Sequence, residues 1–480
     1  MAKKKIIGII LLTALVLAGI PGTAANARNT EDHHYTYDFW GEVLKSIPAF
    51  ELAYTIDGSK MDIPVSGMDD VATGGGRIFL IDTQESRLHV FDDTYSYVTS
   101  VKLLRGEDKK IVLDENGGQV ALKNPEGVWF HESQNEIYVA DTGAERIVVL
   151  DGDGYFLKRI ITRPDNMVGV TQFRPSKITV DGTNKIYFTV QSGFEGIVEL
   201  NQSGTFSRYF GVNKPVVDLW DYFWKRMSSD EQKSKMSKTY APAFNNLAID
   251  GDGFVYATTV DTAAKEQVFR LNPKGENVLR NKGYFPVMGD LLIQNLFVDI
   301  AINDYGVYAL LDQEKGRIFL YDFDGNLINI FGKSGDLRGD FKAPSAIAWF
   351  GDKLVATDKN LRCAYVYQMT EFGEAALGAA KNYYFGEWEE SARLSKEALR
   401  LNANYDLAYI GIGKYYLMQD DFKNAMYYFR LGNEKEFYSQ AYNGSRSLWI
   451  QEHFALILAA LLVLSGLLVY SEIRYNKKKG

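Results

Sequence analysis

Cysteine is almost missing from this chain. Cys363 is alone among 480 residues, so no intrachain disulfide can form. Histidine is scarce as well. His33, His34, His89, His131 and His453 are the whole set, and only His89 and His131 fall in the middle of the chain. That is too few for a zinc centre built on several imidazoles. Basic residues do not predominate either: 53 Lys and Arg against 61 Asp and Glu leave a formal charge of -8. No clustered basic face is visible, which excludes nucleic acid as a partner. A nucleophile-elbow motif for Ser-His-Asp hydrolysis is also lacking. Helix-favouring stretches are sparse before about residue 370, so most of the chain reads as extended β structure.

Long apolar runs occur only at the two ends. Lys3, Lys4 and Lys5 precede the apolar run Ile6–Ile20, followed by the helix breakers Pro21 and Gly22 and the small residues Ala25-Asn26-Ala27. This is the order of a secretory signal, with cleavage expected after Ala27. At the other end, Phe454–Tyr470 is apolar apart from Ser465 and Gly466, and Trp449 and Ile450 extend it to spanning length. Arg474, Lys477, Lys478 and Lys479 follow, so the positive-inside rule places the tail of residues 473–480 in the cytoplasm and residues 28–448 outside it. The sequence thus predicts a single-pass protein of the cell membrane, with a signal peptide over 1–27, a linker over 28–48 and a transmembrane helix over 449–472.

The middle is self-similar. Pro125-Glu126-Gly127-Val128-Trp129-Phe130, Glu136-Ile137-Tyr138-Val139-Ala140-Asp141 and Arg146-Ile147-Val148-Val149-Leu150-Asp151 are strands of period two joined by polar turns. Related units run over 68–101, 173–211, 244–280, 297–332 and 342–372. Six four-stranded units predict a six-bladed β-propeller over 49–373, mainly β, closed radially so that few edges stay open. Ala49–Gly58 reads as an outermost strand able to pair with the last blade and close the ring. An acid-to-Arg spacing recurs at Asp82/Arg87, Asp141/Arg146, Asp312/Arg317 and Asp358/Arg362, which predicts a turn-capping Asp paired with Arg across the turn. These blades resemble NHL repeats, most clearly over 124–160.

Residues 212–243 interrupt the rhythm. Trp220, Phe223 and Trp224 belong to a dense apolar cluster, and Ser228 with Glu231 suits a capping box. The reading is a helical insertion, either a lid on its own propeller or a surface for a partner. After Phe372 the period becomes helical. Gly386-Glu387-Trp388 matches Asp420-Asp421-Phe422 at an offset of 34, as do Ala379 with Gly413, Ser391 with Ala425, and Ala398 with Gly432. Residues 374–448 resemble tetratricopeptide repeats, although Ala403 stands where that pattern ends a repeat with proline. A third first-helix near 437–448 is expected to run on into the spanning segment. Tyr409 and Tyr416 are candidates for lining a partner groove, and packing between helices is the alternative.

Candidate site residues lie where the innermost strands open: Asp70, Glu126, Ser176, Asn246, Asp299 and Ser345 in blade order. Asp70, Glu126, Asn246 and Asp299 form the expected ligand-binding set of the central tunnel. Carboxylates and an amide converging there would suit a hard divalent cation such as Ca²⁺. Glu126-Gly127-Val128-Trp129 resembles the Glu-Gly-Pro-x-Trp motif of gluconolactonase/regucalcin-type propellers without its proline. That resemblance implies a metal held by Glu126, Asn246 and Asp299 and, as one reading, a metal-dependent lactone hydrolase. The other reading needs no chemistry or cofactor. NHL-like blades, helical repeats and one anchor resemble accessory components of bacterial membrane transport systems, particularly for carbohydrates. That resemblance implies a cell-surface scaffold or sensor that binds a protein or glycan outside and couples it to a membrane complex.

Overall fold

The computed structural model describes residues 34–167, 172–191, 196–211, 243–261, 264 and 266–479. The signal segment, and Trp220, Phe223 and Trp224 with nearly all of the 212–243 insertion, lie outside the described residues.

Alternating apolar and polar residues fold into antiparallel meanders, one per blade. Blade 1 comprises Asp70–Gly74, Arg77–Asp82, Arg87–Phe91 and Tyr97–Val101. Blade 2 comprises Gly127–His131, Glu136–Asp141, Arg146–Asp151 and Leu157–Ile161. Blade 3 begins with Pro175–Val180, blade 5 with Phe297–Ile302 and blade 6 with Pro344–Phe350. Blade 4 departs from the expected pattern. Among the described residues it has three strands, Asn246–Ile249, Val255–Thr258 and Val268–Leu271, and a single bridge from Leu271 to Asn277 in place of a fourth. Each first strand contacts the first strands of both neighbouring blades, so the ring is complete and six-bladed.

Closure comes from the N-terminal side. Phe50–Asp57 pairs antiparallel with Cys363–Met369 in blade 6, with Asp57 opposite Cys363 and Phe50 opposite Met369. One blade therefore contains both ends of the propeller's chain, and opening the ring requires breaking a full ladder. The expected linker is partly structured: Tyr35–Tyr37 and Val43–Lys45 form a hairpin on the outer edge of blade 5. The hydroxyls of Tyr35 and Tyr37 donate to the buried Asp290 carboxylate at 2.7 and 2.8 Å, and Arg317 bonds the same carboxylate. Two three-residue strands cannot hold a register by themselves. This long-range network supplies what local pairing lacks.

Apolar faces fill the seams between blades. Phe79, Val90, Val128 and Val139 pack between blades 1 and 2, and Ile56, Leu80, Val355 and Val366 fill the seam from blade 6 back to blade 1. Each such side chain contributes roughly 1.5–3 kcal/mol by burial.

Six helices follow: α1 (Glu371–Tyr384), α2 (Trp388–Leu401), α3 (Asp406–Met418), α4 (Phe422–Leu431), α5 (Lys435–Glu452) and α6 (Phe454–Lys479). Thr370 caps α1 by accepting from the Gly373 amide at 3.1 Å and donates its own hydroxyl to the Pro48 carbonyl at 2.6 Å, tying the helix to the entry of the closing strand. Small residues sit where helices cross. Ser391 of α2 donates to the Ala379 carbonyl of α1 at 2.9 Å, Ala398 and Ala425 are fully buried, and a Cβ on Gly413 would lie 2.6 Å from the Phe429 ring. α6 is long and apolar enough to cross a membrane, with mean hydropathy 2.5 over its most apolar window and none of that window buried. Only His453 separates it from α5, and the Ile457 amide still donates to the His453 carbonyl at 2.9 Å.

Candidate functional site at the propeller axis

Pairing register decides which side chains share a level of the tunnel. Asp70 pairs with Ile81, Gly127 with Ala140, Asn246 with Thr258, Asp299 with Leu311 and Ala346 with Thr357. In blade 3 a bulge lies between Pro175 and Ile178, and the Lys177 amide donates to the Thr189 hydroxyl at 3.1 Å. The equivalent residues are therefore Asp70, Gly127, Lys177, Asn246, Asp299 and Ala346. Glu126, Ser176 and Ser345 belong to the position before. The row read from sequence combines two levels, because successive strand residues point to opposite sides.

Lys177 is the residue that sequence reasoning missed. Its ammonium lies 2.5 Å from Asp70 Oδ1, with the side chain only 15% exposed. Asp299 also acts on it electrostatically. Gly127 lets the first strands of blades 2 and 3 approach closely there: a Cβ would sit 2.2 Å from the Ser176 carbonyl oxygen and 3.1 Å from Lys177 Cα. Burial alone would lower the lysine, but the charges of Asp70 and then Asp299 outweigh it and hold the ammonium above its ordinary value. Burial pushes Asp70 up against the opposing pull of Lys177, and Asp299 is pushed up to about 8 by burial, with Lys177 opposing and Asp70 adding.

The same polar groups stitch blade to blade. Asp70 Oδ2 accepts from the Val128 amide of blade 2 at 2.8 Å, and Asp299 Oδ2 accepts from the Ile347 amide of blade 6 at 2.6 Å. Asn246 donates to the Val298 carbonyl of blade 5 at 3.2 Å while its oxygen accepts from the Leu247 amide at 2.6 Å. Ser345 donates to the Met68 carbonyl at 2.6 Å, crossing the seam into blade 1. Glu126 accepts from Ser176 at 2.7 Å and from Gln191 at 2.9 Å.

A divalent metal does not fit this donor set. Asp70 and Asp299 already face an ammonium, Asn246 has committed both side-chain atoms, and Glu126 belongs to another level. Among the described residues no group of three or more His, Cys, Asp or Glu side chains is arranged to hold a metal ion.

Three of the recurrent aspartates cap their turns: Asp82 accepts from the Glu85 amide at 2.9 Å, Asp312 from Lys315 at 2.8 Å and Asp358 from Leu361 at 2.8 Å. Asp141 makes no such bond to its own turn, and all four also reach back to the incoming segment. Asp82 accepts from Ser66 and Gly67, Asp141 from Lys123, Asp312 from Leu296 and Asp358 from Lys342 and Ala343, each holding the segment that enters its blade. The arginine half of the expectation is narrower. Arg146 pairs with Asp141 at 2.7 Å, but Arg317 turns to Asp290 and Arg87 to the Ser100 hydroxyl at 3.4 Å. In blade 6 the residue opposite Asp358 is Cys363, and Arg362 sits in the turn at φ +54°.

The axis has direction. The charged level lies at the start of each first strand. Hairpin turns such as Asn303–Gly306 lie at the far end, and there the helices attach. Lys381 of α1 packs over the Tyr305 ring at 5.5 Å. Asp324, in the neighbouring turn of blade 5, accepts from Tyr383 of α1 at 2.9 Å and pairs with Arg280 at 2.8 Å and Lys414 of α3 at 3.7 Å. Tyr284 bonds the Gly432 carbonyl at the end of α4. The Lys177 level therefore lies at the end of the axis away from the helical module. A separate cleft lies at the joint itself and is lined by Tyr37, Phe285, Tyr405 and Asp406. Of the two tyrosines expected at a partner groove, Tyr416 stacks on Tyr428 at 5.5 Å and Tyr409 turns its hydroxyl to the Ala403 carbonyl at 3.4 Å.

No protein-family model matches the chain, and no curated protein matches it by sequence. Among solved structures, virginiamycin B lyase from Staphylococcus aureus is similar over 67% of this chain and 100% of its own, at 11% identity and a TM-score of 0.41. A gluconolactonase from Xanthomonas campestris is similar over 66% of this chain and 88% of its own, at 13% identity and a TM-score of 0.41. Hydrazine synthase from Kuenenia stuttgartiensis is similar over 62% of this chain and 76% of its own, at 13% identity and a TM-score of 0.37. At these values nothing about ligand or activity carries over.

Proposed function

We propose that this chain is a membrane-anchored binding module whose propeller presents its Lys177 face to an extracytoplasmic protein or glycan and whose helices couple it to a membrane complex. The observation that carries this reading is the clamped joint. Asp324 gathers Arg280, Tyr383 and Lys414, so the propeller is fixed to the helices at the end opposite the Lys177 level. The last of those helices leads, across one residue, into a helix of membrane-spanning length. A propeller on a loose tether would not transmit a load or an orientation; one clamped through buried charge does.

Two repeat types of this kind present surface rather than chemistry. The blades are read here as NHL-like and the helices as tetratricopeptide-like, and the resemblance to accessory components of carbohydrate transport systems names the kind of complex to look for. The test is copurification of the full chain from detergent-solubilised membranes after mild crosslinking. A stoichiometric membrane partner is expected; a solitary monomer under those conditions would overturn the scaffold reading.

A further inference from the structure

Propellers with carboxylates at the axis invite a divalent metal, yet a side chain of this chain already stands at that level. Three observations converge. Lys177 lies on the same level as Asp70, Asn246 and Asp299, and its ammonium meets Asp70 Oδ1 at 2.5 Å. Gly127, the intervening residue of blade 2, has no side chain, and the blade 3 backbone at Ser176 and Lys177 packs directly against it. Asp70 uses its other oxygen to hold the first strand of blade 2, and Asp299 accepts from the Ile300 amide through Oδ1 and from the Ile347 amide of blade 6 through Oδ2, so both carboxyl groups are tied to ring geometry.

We propose that the Lys177 ammonium is the resident cation of this ring, occupying in covalent form the place a divalent ion would otherwise take. Two carboxyl groups buried at one axis cannot both ionise without a counter-charge. A tethered ammonium supplies one that neither dissociates nor depends on metal supply. The ring is accordingly metal-independent as built, and it becomes a divalent-cation site when the lysine is shortened, because Asp70 Oδ1 then loses its cationic partner and faces the freed space as a hard oxygen donor beside Asp299.

The experiment uses the full chain in detergent, with Ca²⁺ and Mn²⁺ as probes, followed by thermal unfolding and calorimetry. The native protein is expected to unfold at the same temperature in chelator and in millimolar Ca²⁺, with no binding heat. Lys177→Ala is expected to unfold roughly 5–10 °C lower, as for removal of one partner of a buried pair. It should recover most of that loss in Ca²⁺ or Mn²⁺ and show a binding heat that the native chain lacks. If Lys177→Ala does not fold, Lys177→Met combined with Asp70→Asn removes both charges and is expected to fold and to ignore the cations. Metal-dependent stabilisation of the native chain would overturn the proposal. So would Lys177→Ala folding at the native temperature, or failing to respond to either cation.

Discussion

His89 is the residue whose chemistry is least comfortable in this fold. It is fully buried on the middle strand Arg87–Phe91 of blade 1, and neither ring nitrogen has a hydrogen-bond partner. Burial pushes its pKa down to about 4, with Asp82 and Glu85 opposing and Arg87 adding. The folded value thus lies below the ordinary 6.5, so the folded state favours the neutral ring. The stability this confers is complete above about pH 6.5 and is lost as pH falls toward 4. The loss approaches roughly 3 kcal/mol by the bottom of that window. Urea midpoints measured from pH 7 to pH 4 are expected to fall for the native chain and to fall less for His89→Leu. Equal slopes in the two would show that this ring plays no part. Asp324 is a second revealing residue, since Lys414 is buried beside it and burial lowers that ammonium's pKa against the pull of Asp322 and Asp324. Asp324→Ala leaves the lysine, Arg280 and Tyr383 short of a partner and is expected to cost about 2–4 kcal/mol. Hydrogen exchange should localise the loosening to α1 and α3; uniform loosening of all six blades would contradict the joint assigned here.

Elements were legible where the local pattern is long enough to specify itself. Period-two strands such as Glu136–Asp141, and the closing role of Ala49–Gly58, could be read because strand alternation and turn residues are local signals. The hairpin at Tyr35–Lys45 could not. Its strands are three residues each, and they are held by Asp290, some 250 positions away in sequence. The tunnel level was half legible for a similar reason. Asp70, Asn246 and Asp299 stand out as acids and an amide before apolar residues. The bulges at Pro175–Ile178 and Pro344–Ala346, which decide whether Ser or its successor faces inward, leave no mark in composition. Lys177 follows a proline and a serine and reads from sequence as an ordinary surface lysine. The closing strand offers a test at this scale. Ile56 is buried in the seam from blade 6 to blade 1, and Ile56→Asp is expected to cost at least about 3 kcal/mol by placing an unpaired charge there. Calorimetry should show the ring unfolding at lower temperature as one unit. An unchanged midpoint would mean that the N-terminal strand does not hold the circle shut.

At the scale of the whole molecule, the arrangement of its parts carries the proposed function. The Lys177 level lies at one end of the propeller axis, the clamped helices lie at the other, and a helix of spanning length follows them. Such an arrangement sets the proposed binding face outward and away from the bilayer if the chain crosses the membrane in the orientation its basic tail predicts. The composition makes this easy to probe. Cys363 is buried, and burial raises its thiol to about 11, so it contributes little background to thiol labelling. Lys123 lies exposed on the loop that enters blade 2 at the Lys177 end of the axis, and Lys477 lies in the basic tail. Labelling with a membrane-impermeant maleimide in intact cells, on Lys123→Cys and Lys477→Cys separately, tests the claim most directly. Lys123→Cys is expected to react in intact cells and Lys477→Cys only after permeabilisation. The reverse pattern, or protection of both until the membrane is opened, would contradict it.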